Sequence, residues 1–236
     1  MTSLVEALGV GIAGRLSPSS LAIERGQMVA VIGPNGGGKT SLLRALARTE
    51  DALGAVSVDG LDIDATGEAL RRRLLAFLPA TREASWPVAV TDYLKFGLGA
   101  PDPARIEELV DLLELALLAA RPIDRLSTGE RARAMLGRAI AGKARLLLLD
   151  EPLSNLDPYW VLRTVDVLRA EVDANDSAAL VSVHDLSLLA RFDRVLLVSG
   201  NAIVADGPPE MVLASEQFGT AFRVEPGERG WAIMGA

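Results

Sequence analysis

Gly33-Pro34-Asn35-Gly36-Gly37-Gly38-Lys39-Thr40 lies between an apolar run, Met28–Ile32, and a pattern typical of a helix, Lys39–Ala47. It fits the G-x-x-x-x-G-K-[ST] pattern of a phosphate-binding loop, in the strand-to-helix setting that the pattern requires. Glycines let backbone N–H groups approach a phosphate without a Cβ in the way, and the helix N-terminus adds positive potential. We expect Lys39 to reach the β- and γ-phosphates of a nucleotide and the Thr40 hydroxyl to bind Mg²⁺. The predicted nucleotide contacts are Asn35, Gly36, Gly37, Gly38, Lys39, Thr40 and Ser41.

A second motif stands where another apolar run ends: Arg145–Leu149 is followed by Asp150 and Glu151. A buried strand ending here would deliver Asp150 to the Mg²⁺ region at the carboxyl end of the sheet. Glu151, one residue further, is placed to polarise a water for attack on the γ-phosphate. Taken alone, such a pair also fits a solvated strand end. Together with the phosphate-binding loop it predicts a hydrolytic site.

The remaining apolar runs indicate the fold class. They are Ala55–Val58, Leu74–Leu78, Ala178–Val183 and Arg194–Val198. Because these runs are continuous rather than alternating, they predict strands covered on both faces. Helical patterns fall between them, including Pro158–Glu171 after Asp157, and Ser199-Gly200-Asn201 predicts a hairpin turn. The alternation predicts an α/β fold with a largely parallel sheet.

One segment, from about 84 to 142, interrupts this alternation and predicts a mostly helical insert. The apolar positions with the spacing of one helix face are Ile106, Leu109, Val110, Leu113 and Leu117. We therefore assign an α/β core to residues 1–83 and 143–236, and a helical subdomain to residues 84–142.

Composition narrows the function classes. The 236 residues and 24.9 kDa correspond to one large domain or two small ones at roughly 150 residues each. With no cysteine, the chain has no disulfide scaffold, cysteine nucleophile or Cys-ligated metal site. A net charge of −7 argues against sequence-independent nucleic-acid binding. The mean hydropathy is +0.28, yet no run approaches the ~20 apolar residues of a membrane-spanning helix. We expect a cytosolic protein, whose apolar excess reflects either a partner surface or an Ala/Leu-rich genome.

Leu126-Ser127-Thr128-Gly129-Glu130 indicates the family. Ser127 and Glu130 have the spacing of a capping box, so a helix begins here, and a cap alone would explain the pair. The segment also resembles the signature of the ATP-binding cassette (ABC) ATPases, Leu-Ser-Gly-Gly followed by Gln or Glu. It differs at Thr128, where that family usually has glycine. The resemblance implies that the Ser127 hydroxyl and the Gly129 N–H bind the γ-phosphate held by a second subunit.

Two further motifs continue the resemblance in the same order as in that family. Ser154-Asn155-Leu156-Asp157 resembles its D-loop, and Val183-His184-Asp185-Leu186 resembles the motif whose histidine contacts the γ-phosphate. A lone histidine after a strand is more often structural, but the resemblance implies a catalytic role for His184 and a nucleotide-site role for Asp157.

The resemblance covers nearly the whole chain, and it implies a P-loop ABC nucleotide-binding domain that hydrolyses ATP with Mg²⁺. It further implies an ATP-dependent homodimer beneath transmembrane permease subunits, peripheral on the inner face of the cell inner membrane. Gly207–Leu213 is similar to the corresponding part of importer ATPases for iron-siderophores, haem and vitamin B12. The alternative is a soluble ABC-type ATPase that acts as an ATP-driven switch without a permease.

The chain departs from the family at two places. The family stacks adenine on an aromatic residue ahead of the phosphate-binding loop, but the first aromatic here is Phe77; we expect Arg15 to stack on the base instead. The family also has glutamine where this chain has Ala80, and Arg82 is a candidate to replace that polar group. Four aromatics, Phe77, Trp86, Tyr93 and Phe96, fall in the region that the family presents to a membrane subunit. Trp86 is the predicted exposed anchor, although these residues also suit packing of the helical subdomain.

Overall fold

The structure is a computed structural model that describes residues 3–81, 87–227 and 230–234. Its strands are β1 (Val5–Ile12), β2 (Leu16–Ile23), β3 (Met28–Ile32), β4 (Leu53–Val58), β5 (Leu61–Asp62), β6 (Leu75–Leu78), β7 (Leu146–Leu149), β8 (Ala178–Ser182), β9 (Arg194–Ser199), β10 (Ala202–Gly207), β11 (Val224–Gly227) and β12 (Gly230–Ile233). Its helices are α1 (Lys39–Ala47), α2 (Glu68–Leu74), α3 (Val90–Lys95), α4 (Pro103–Leu112), α5 (Thr128–Ala141), α6 (Pro158–Asn175), α7 (Pro209–Leu213) and α8 (Glu216–Phe222). Short 3₁₀ turns cover Ala116–Leu118, Ile123–Arg125 and Leu186–Arg191.

A six-stranded sheet forms the centre of the molecule. Its order is β10-β9-β3-β8-β7-β6, and every pair except β10–β9 is parallel. A second, antiparallel sheet has the order β2-β1-β4-β5. The α/β fold class with a largely parallel sheet is thereby confirmed.

The two faces of the central sheet are buried in two separate apolar cores. In β3, Met28, Ala30 and Ile32 pack on the side of the helical segment, whereas Val29 and Val31 pack with α1 and the antiparallel sheet. Such a strand has no polar face, which explains its continuous apolar sequence. The prediction of strands covered on both sides is confirmed.

Most predicted element boundaries agree with the structure to within a few residues. Met28–Ile32 and Lys39–Ala47 are matched at both ends, and the predicted hairpin turn joins β9 to β10. The strand predicted at Leu74–Leu78 begins one residue later, because Leu74 is the last residue of α2. The helix predicted at Pro158–Glu171 continues to Asn175, where Asp176 at φ 48° ends it.

The segment between β6 and β7 contains α3, α4 and α5. The apolar helix face predicted for this segment is correct up to Leu113. The assignment of Leu117 to that face is wrong, since this residue is 97% exposed. The helix ends at Leu112, and Glu114 adopts φ 50°, so helical spacing no longer applies beyond it. In the part of the chain that the structure describes, no helix has the length and hydropathy needed to cross a bilayer.

A buried ion pair joins this helical segment to the rest of the fold. Arg105 on α4 donates to the Glu171 carboxylate of α6 at 2.7 Å and to the carbonyl of Ile140 on α5 at 3.0 Å. Its side chain is only 2% exposed. The pair therefore fixes how α4 and α5 sit on α6.

Candidate active site

The phosphate-binding loop is packed tightly against strand β9. A Cβ on Gly33, at φ 148°, would lie 1.9 Å from the Val198 carbonyl oxygen, and one on Gly37 would lie 2.7 Å from the same atom. Sequence reasoning attributed these glycines to room for a phosphate. The structure adds a second reason, since any side chain at 33 or 37 would collide with β9.

The turn between β9 and β10 holds this loop in place. The Asn201 N–H donates to the Gly37 carbonyl at 3.0 Å, and the Asn201 carbonyl accepts from the Ser17 N–H at 2.7 Å. Asn201 adopts φ 64°, a left-handed conformation that asparagine tolerates better than most residues. The sequence indicated the turn but not this contact, so Asn201 is a site residue that sequence reasoning missed.

The side chain of Lys39 forms hydrogen bonds back to the phosphate-binding loop. It is buried, and its Nζ donates to the carbonyls of Gly33 at 2.8 Å and Pro34 at 3.2 Å. Burial lowers the pKa of Lys39, while the nearby carboxylates of Glu151 and Asp150 oppose that shift. The ammonium is thus bound to the loop and lies within the electrostatic influence of the predicted catalytic Glu151 and the predicted metal ligand Asp150.

A cleft of about 490 Å³ opens above the loop. Its lining residues are Gly14, Arg15, Asn35, Gly36, Gly37, Gly38, Lys39, Thr40, Ser41, Glu151 and Asn201. The structure therefore brings together the loop residues, Arg15 and Glu151, as the sequence predicted. A volume of this size lies within the range of small-molecule and cofactor sites.

Arg15 lies at the cleft in an ion pair. It contacts the carboxylate of Glu50, whose other oxygen accepts from Arg44 at 2.7 Å. Hydrogen bonds from these two arginines hold the pKa of Glu50 below its ordinary value, and the bond from Arg15 has the larger effect. Glu50 fixes the guanidinium in place, a contact between residues 35 positions apart that the sequence did not indicate.

Ser182 organises the two carboxylates at the end of β7. Its hydroxyl donates to Asp150 Oδ1 at 2.9 Å and accepts from the Glu151 N–H at 2.6 Å. Asp150 and Ser182 are both 1% exposed. Sequence reasoning missed Ser182, although its hydroxyl is the only polar side chain of β8 and was a usable signal.

Glu151 contacts the histidine that the sequence singled out. His184 Nε2 lies 2.9 Å from Glu151 Oε1, and both side chains are partly exposed. Glu151 itself adopts φ 52°, an unusual conformation for a non-glycine residue that frequently accompanies functional sites. A carboxylate held beside an imidazole at the mouth of a cleft is suited to orienting and deprotonating a water.

The donor set also fits Mg²⁺. Asp150 Oδ2 is buried and has no hydrogen-bond partner among the described residues, which is costly for a carboxylate unless a cation completes it. Thr40 supplies a hydroxyl in the neighbouring cleft. Carboxylate and hydroxyl oxygens are the hard ligands that Mg²⁺ prefers, with water and phosphate completing its octahedron.

Five predicted site residues do not line the cleft: Asp150 and His184, described above, and Ser127, Gly129 and Asp157. Ser127 caps α5 in the predicted capping box, with Glu130 Oε2 accepting from the Ser127 N–H at 2.8 Å. That hydrogen bond is the main reason why the pKa of Glu130 is lowered. Asp157 caps α6 by accepting from the Trp160 N–H at 3.0 Å, and Gly129 lies close to the Asn155 carbonyl. The segments around 127 and 157 therefore form a second surface, separate from the cleft.

The position of Ala80 lies near Asp150. The Asp150 N–H donates to the Leu78 carbonyl at 2.8 Å, and the half-buried Ala80 follows two residues later. Arg82 and Trp86 lie outside the described residues. Of the other aromatics predicted to group here, Phe77 and Tyr93 pack against the cores, while Phe96 is 52% exposed.

Comparison with known proteins gives consistent matches. The family model for "ABC transporter" matches residues 16–154. A hemin import ATP-binding protein of Streptomyces coelicolor is 38% identical, over 96% of this chain and 86% of the relative. A cobalamin import ATP-binding protein of Halobacterium salinarum is 35% identical over 94% of this chain, which spans 59% of that longer relative. A petrobactin import ATP-binding protein of Bacillus anthracis is 32% identical, over 86% of this chain and 79% of the relative.

Solved structures show the same fold at lower identity. A nucleotide-free ATP-binding cassette from an ABC transporter superposes with a TM-score of 0.80 at 19% identity, over 94% of this chain and 99% of that one. A dimeric cassette bound to ADP and Pi, in a post-hydrolysis state, has a TM-score of 0.78 at 19% identity, over 87% of this chain and 98% of that one.

Proposed function

Because this chain belongs to the ABC transporter family, we propose that it is the ATP-hydrolysing subunit of an importer for a metal chelate or a cobalamin-like solute. The observation that carries the ATPase activity is the cleft itself, where the phosphate-binding loop faces Glu151. The buried, unpartnered oxygen of Asp150 lies close to it. Loop N–H groups, Lys39 and a carboxylate beside a histidine are the groups that phosphoryl transfer to water requires.

Each residue then has a distinct role. The amides of the loop and the Lys39 ammonium bind the phosphates and stabilise the charge that develops on them. Glu151 accepts a proton from the attacking water, and His184 holds the Glu151 carboxylate in place and faces the γ-phosphate. Arg15 lies under the base, where its planar guanidinium can stack. Thr40 and Asp150 would hold Mg²⁺, which would neutralise part of the phosphate charge when bound.

The active form is a dimer in this proposal. Ser127 and Gly129 do not line the cleft of their own chain, yet a capped helix N-terminus is a natural phosphate site. In a two-fold dimer, each copy presents this surface to the nucleotide of the other copy. ATP is then the ligand that completes both sites.

The importer assignment rests on the relatives. Three of them are named as import ATP-binding proteins for hemin, cobalamin and petrobactin, which are metal-binding organic molecules. We place this chain beneath transmembrane permease subunits, peripheral on the inner face of the cell inner membrane. The exposed Phe96, in the region implied to face a permease, supports such a contact.

A soluble ATP-driven switch is the second candidate, and Ala80 favours it. Alanine lacks the amide that the family uses to connect the nucleotide site with the membrane subunits. Reconstitution with a permease from the same gene cluster separates the two candidates. Stimulation of hydrolysis by the permease supports the importer, while no response in wild type or in Ala80→Gln supports the switch.

The ATPase proposal is tested by separating binding from turnover. Lys39→Ala is expected to abolish ATP binding, because it removes the charge that contacts the ground-state phosphates. Glu151→Gln is expected to bind ATP normally and to lose about 10²–10⁴-fold in hydrolysis, the range for a general base.

The measurements are equilibrium ATP binding and phosphate release, made on both variants. Exposed Lys143→Gln and Glu107→Gln serve as charge-matched controls, since neither side chain lies near the cleft. Full hydrolysis by Glu151→Gln contradicts the assignment of the base.

A further inference from the structure

An arginine–tryptophan stack connects the two surface segments that do not line the cleft. The Arg133 guanidinium carbon lies 4.3 Å from the centroid of the Trp160 ring. Arg133 stands on α5, six residues after Ser127, and Trp160 stands on α6, three residues after Asp157. The contact therefore joins the helix that begins at the signature segment to the helix that begins at the D-loop segment, residues 154–157.

Hydrogen bonds fix the arginine at the end of α4. Arg133 Nη1 donates to the carbonyl of Leu113 at 2.7 Å and to that of Glu114 at 3.0 Å. Burial lowers the pKa of Arg133, and the carboxylates of Glu114, Glu130 and Asp157 oppose the shift. Moving this side chain would leave a partly buried cation without partners, which is costly.

Tyr159 connects α6 to the turn just after α4, where Arg133 is also held. Its ring meets that of Trp160 edge to face, with the centroids 5.4 Å apart. Its hydroxyl donates to Glu114 Oε1 at 2.9 Å. Together, Arg133, Trp160, Tyr159 and Glu114 form a cluster, called here the strut, that joins α5, α6 and the turn just after α4.

The backbones of the two segments also lie in contact. A Cβ on Gly129 would be 3.6 Å from the Asn155 carbonyl oxygen and 4.0 Å from the Leu156 side chain. Asn155 adopts φ 61° at this point. The two segments thus touch through their backbones, and the helices that follow them touch through the strut.

We propose that the strut makes the signature segment and the D-loop segment one rigid unit, so that both reach the partner's nucleotide in a single step. Arg133 and Trp160 act as positioning residues, because neither lines the cleft. Holding both segments in their binding geometry before the dimer forms reduces the ordering that dimerisation must impose. The inference rests on the dimeric ATPase proposed above.

The first test measures ATP-dependent dimerisation in the Glu151→Gln background. Trp160→Leu keeps an apolar side chain but removes the stack, and we expect dimer affinity to fall roughly fivefold to thirtyfold. Trp160→Phe keeps a smaller aromatic ring that binds the guanidinium more weakly, and its dimer affinity is expected to lie between those of the parent and Trp160→Leu. Binding of ADP to the monomer is expected to be unchanged in both variants, because the cleft is intact.

A control substitution removes another buried aromatic side chain, far from the strut in the sequence. Phe218 on α8 is fully buried, and Phe218→Leu is expected to lower the melting temperature without lowering dimer affinity at a temperature where the protein is folded. If Phe218→Leu and Trp160→Leu weaken the dimer equally, the effect is general destabilisation and the proposal is wrong.

A covalent rescue gives the sharper test. Since the chain has no cysteine, Arg133→Cys with Trp160→Cys removes the stack and places two thiols, one on α5 and one on α6, that a short bifunctional thiol reagent can join. Without the reagent this double variant is expected to show the weakened dimer, and cross-linking is expected to restore dimer affinity towards that of the parent. A cross-linked protein that folds but does not regain affinity overturns the proposal.

Different results would contradict the proposed function and the strut proposal. If Glu151→Gln with the strut intact does not dimerise with ATP and Mg²⁺, the proposed function fails. If it dimerises and Trp160→Leu does so with the same affinity, only the strut proposal fails.

Discussion

At the scale of single residues, Ser182 shows how a buried hydroxyl can control charged neighbours. It accepts from the backbone of Glu151 and donates to Asp150. Because only one carboxylate oxygen of Asp150 accepts this hydrogen bond, the other remains available for a cation. One small side chain on a neighbouring strand thus orients the carboxylate that we propose to bind Mg²⁺ and supports the left-handed backbone of the proposed catalytic glutamate.

Ser182→Ala is therefore expected to lower hydrolysis roughly tenfold to a hundredfold, the usual effect of losing a group that orients a metal ligand. The Mg²⁺ concentration for half-maximal hydrolysis should rise at the same time. Phosphate release over a Mg²⁺ titration measures both. Thr164→Val is the control, because it removes a buried hydroxyl with no hydrogen-bond partner in the described structure. Equal behaviour of the two variants would contradict the role of Ser182.

Arg15 lines the cleft and is the residue that we propose to stack on the nucleotide base. A guanidinium plane stacks on any base, so ATP and GTP are expected to bind within roughly 100-fold of each other, or about 2.7 kcal/mol. Arg15→Ala should weaken both nucleotides by a similar factor of roughly threefold to tenfold. Competition binding measures these affinities, with Arg191→Ala as an exposed, ion-paired control. A preference above 100-fold would mean that a base-reading pocket exists.

At the scale of elements, one buried arginine attaches helix α4 to helices α5 and α6. Arg105 contacts α5 through the Ile140 carbonyl and α6 through Glu171, while Glu108 on its own helix provides a third contact. The helical segment thus has a fixed point of attachment to α6, close to the end of α5. The signature segment lies at the other end of α5, where the strut provides a second attachment.

Breaking this pair on one side is expected to be strongly destabilising. Glu171→Leu leaves Arg105 buried with only Glu108 as a carboxylate partner, and should cost about 2–4 kcal/mol of unfolding free energy. Adding Arg105→Met to that variant should recover a large part of the loss, since an apolar pair tolerates burial. Denaturant unfolding measures each value. Glu68→Gln breaks an exposed ion pair with Arg72 and should change stability by less than about 1 kcal/mol.

At the scale of the whole molecule, the fold presents two incomplete halves of a site. The cleft lies on the central sheet, and the signature and D-loop segments lie at the N-termini of α5 and α6. A net charge of −7 on each copy opposes association. In the proposed dimer, ATP held between two copies would supply the attraction, and its hydrolysis would remove that attraction.

Dimerisation is accordingly expected only with ATP and Mg²⁺. Size-exclusion chromatography of Glu151→Gln should give a dimer with the nucleotide and a monomer without it. A mixing experiment adds a stricter criterion: Lys39→Ala and Ser127→Phe, each inactive alone, should regain hydrolysis when combined, because one composite site is then intact. Full hydrolysis by a monomer would contradict the composite site.

The sequence by itself determined the central strands, helix α1, the capped start of α5 and the loop at residues 33–40, because these depend on local periodicity and spacing. The tertiary structure decided the rest. The contacts of Ser182 with Asp150 and of Asn201 with Gly37 join residues far apart in the chain, and no local pattern encodes them. The same holds for Leu117, whose exposure follows from a single left-handed residue that ends α4 early. Local sequence specifies which side chains a strand or turn carries, whereas only packing specifies which of them meet.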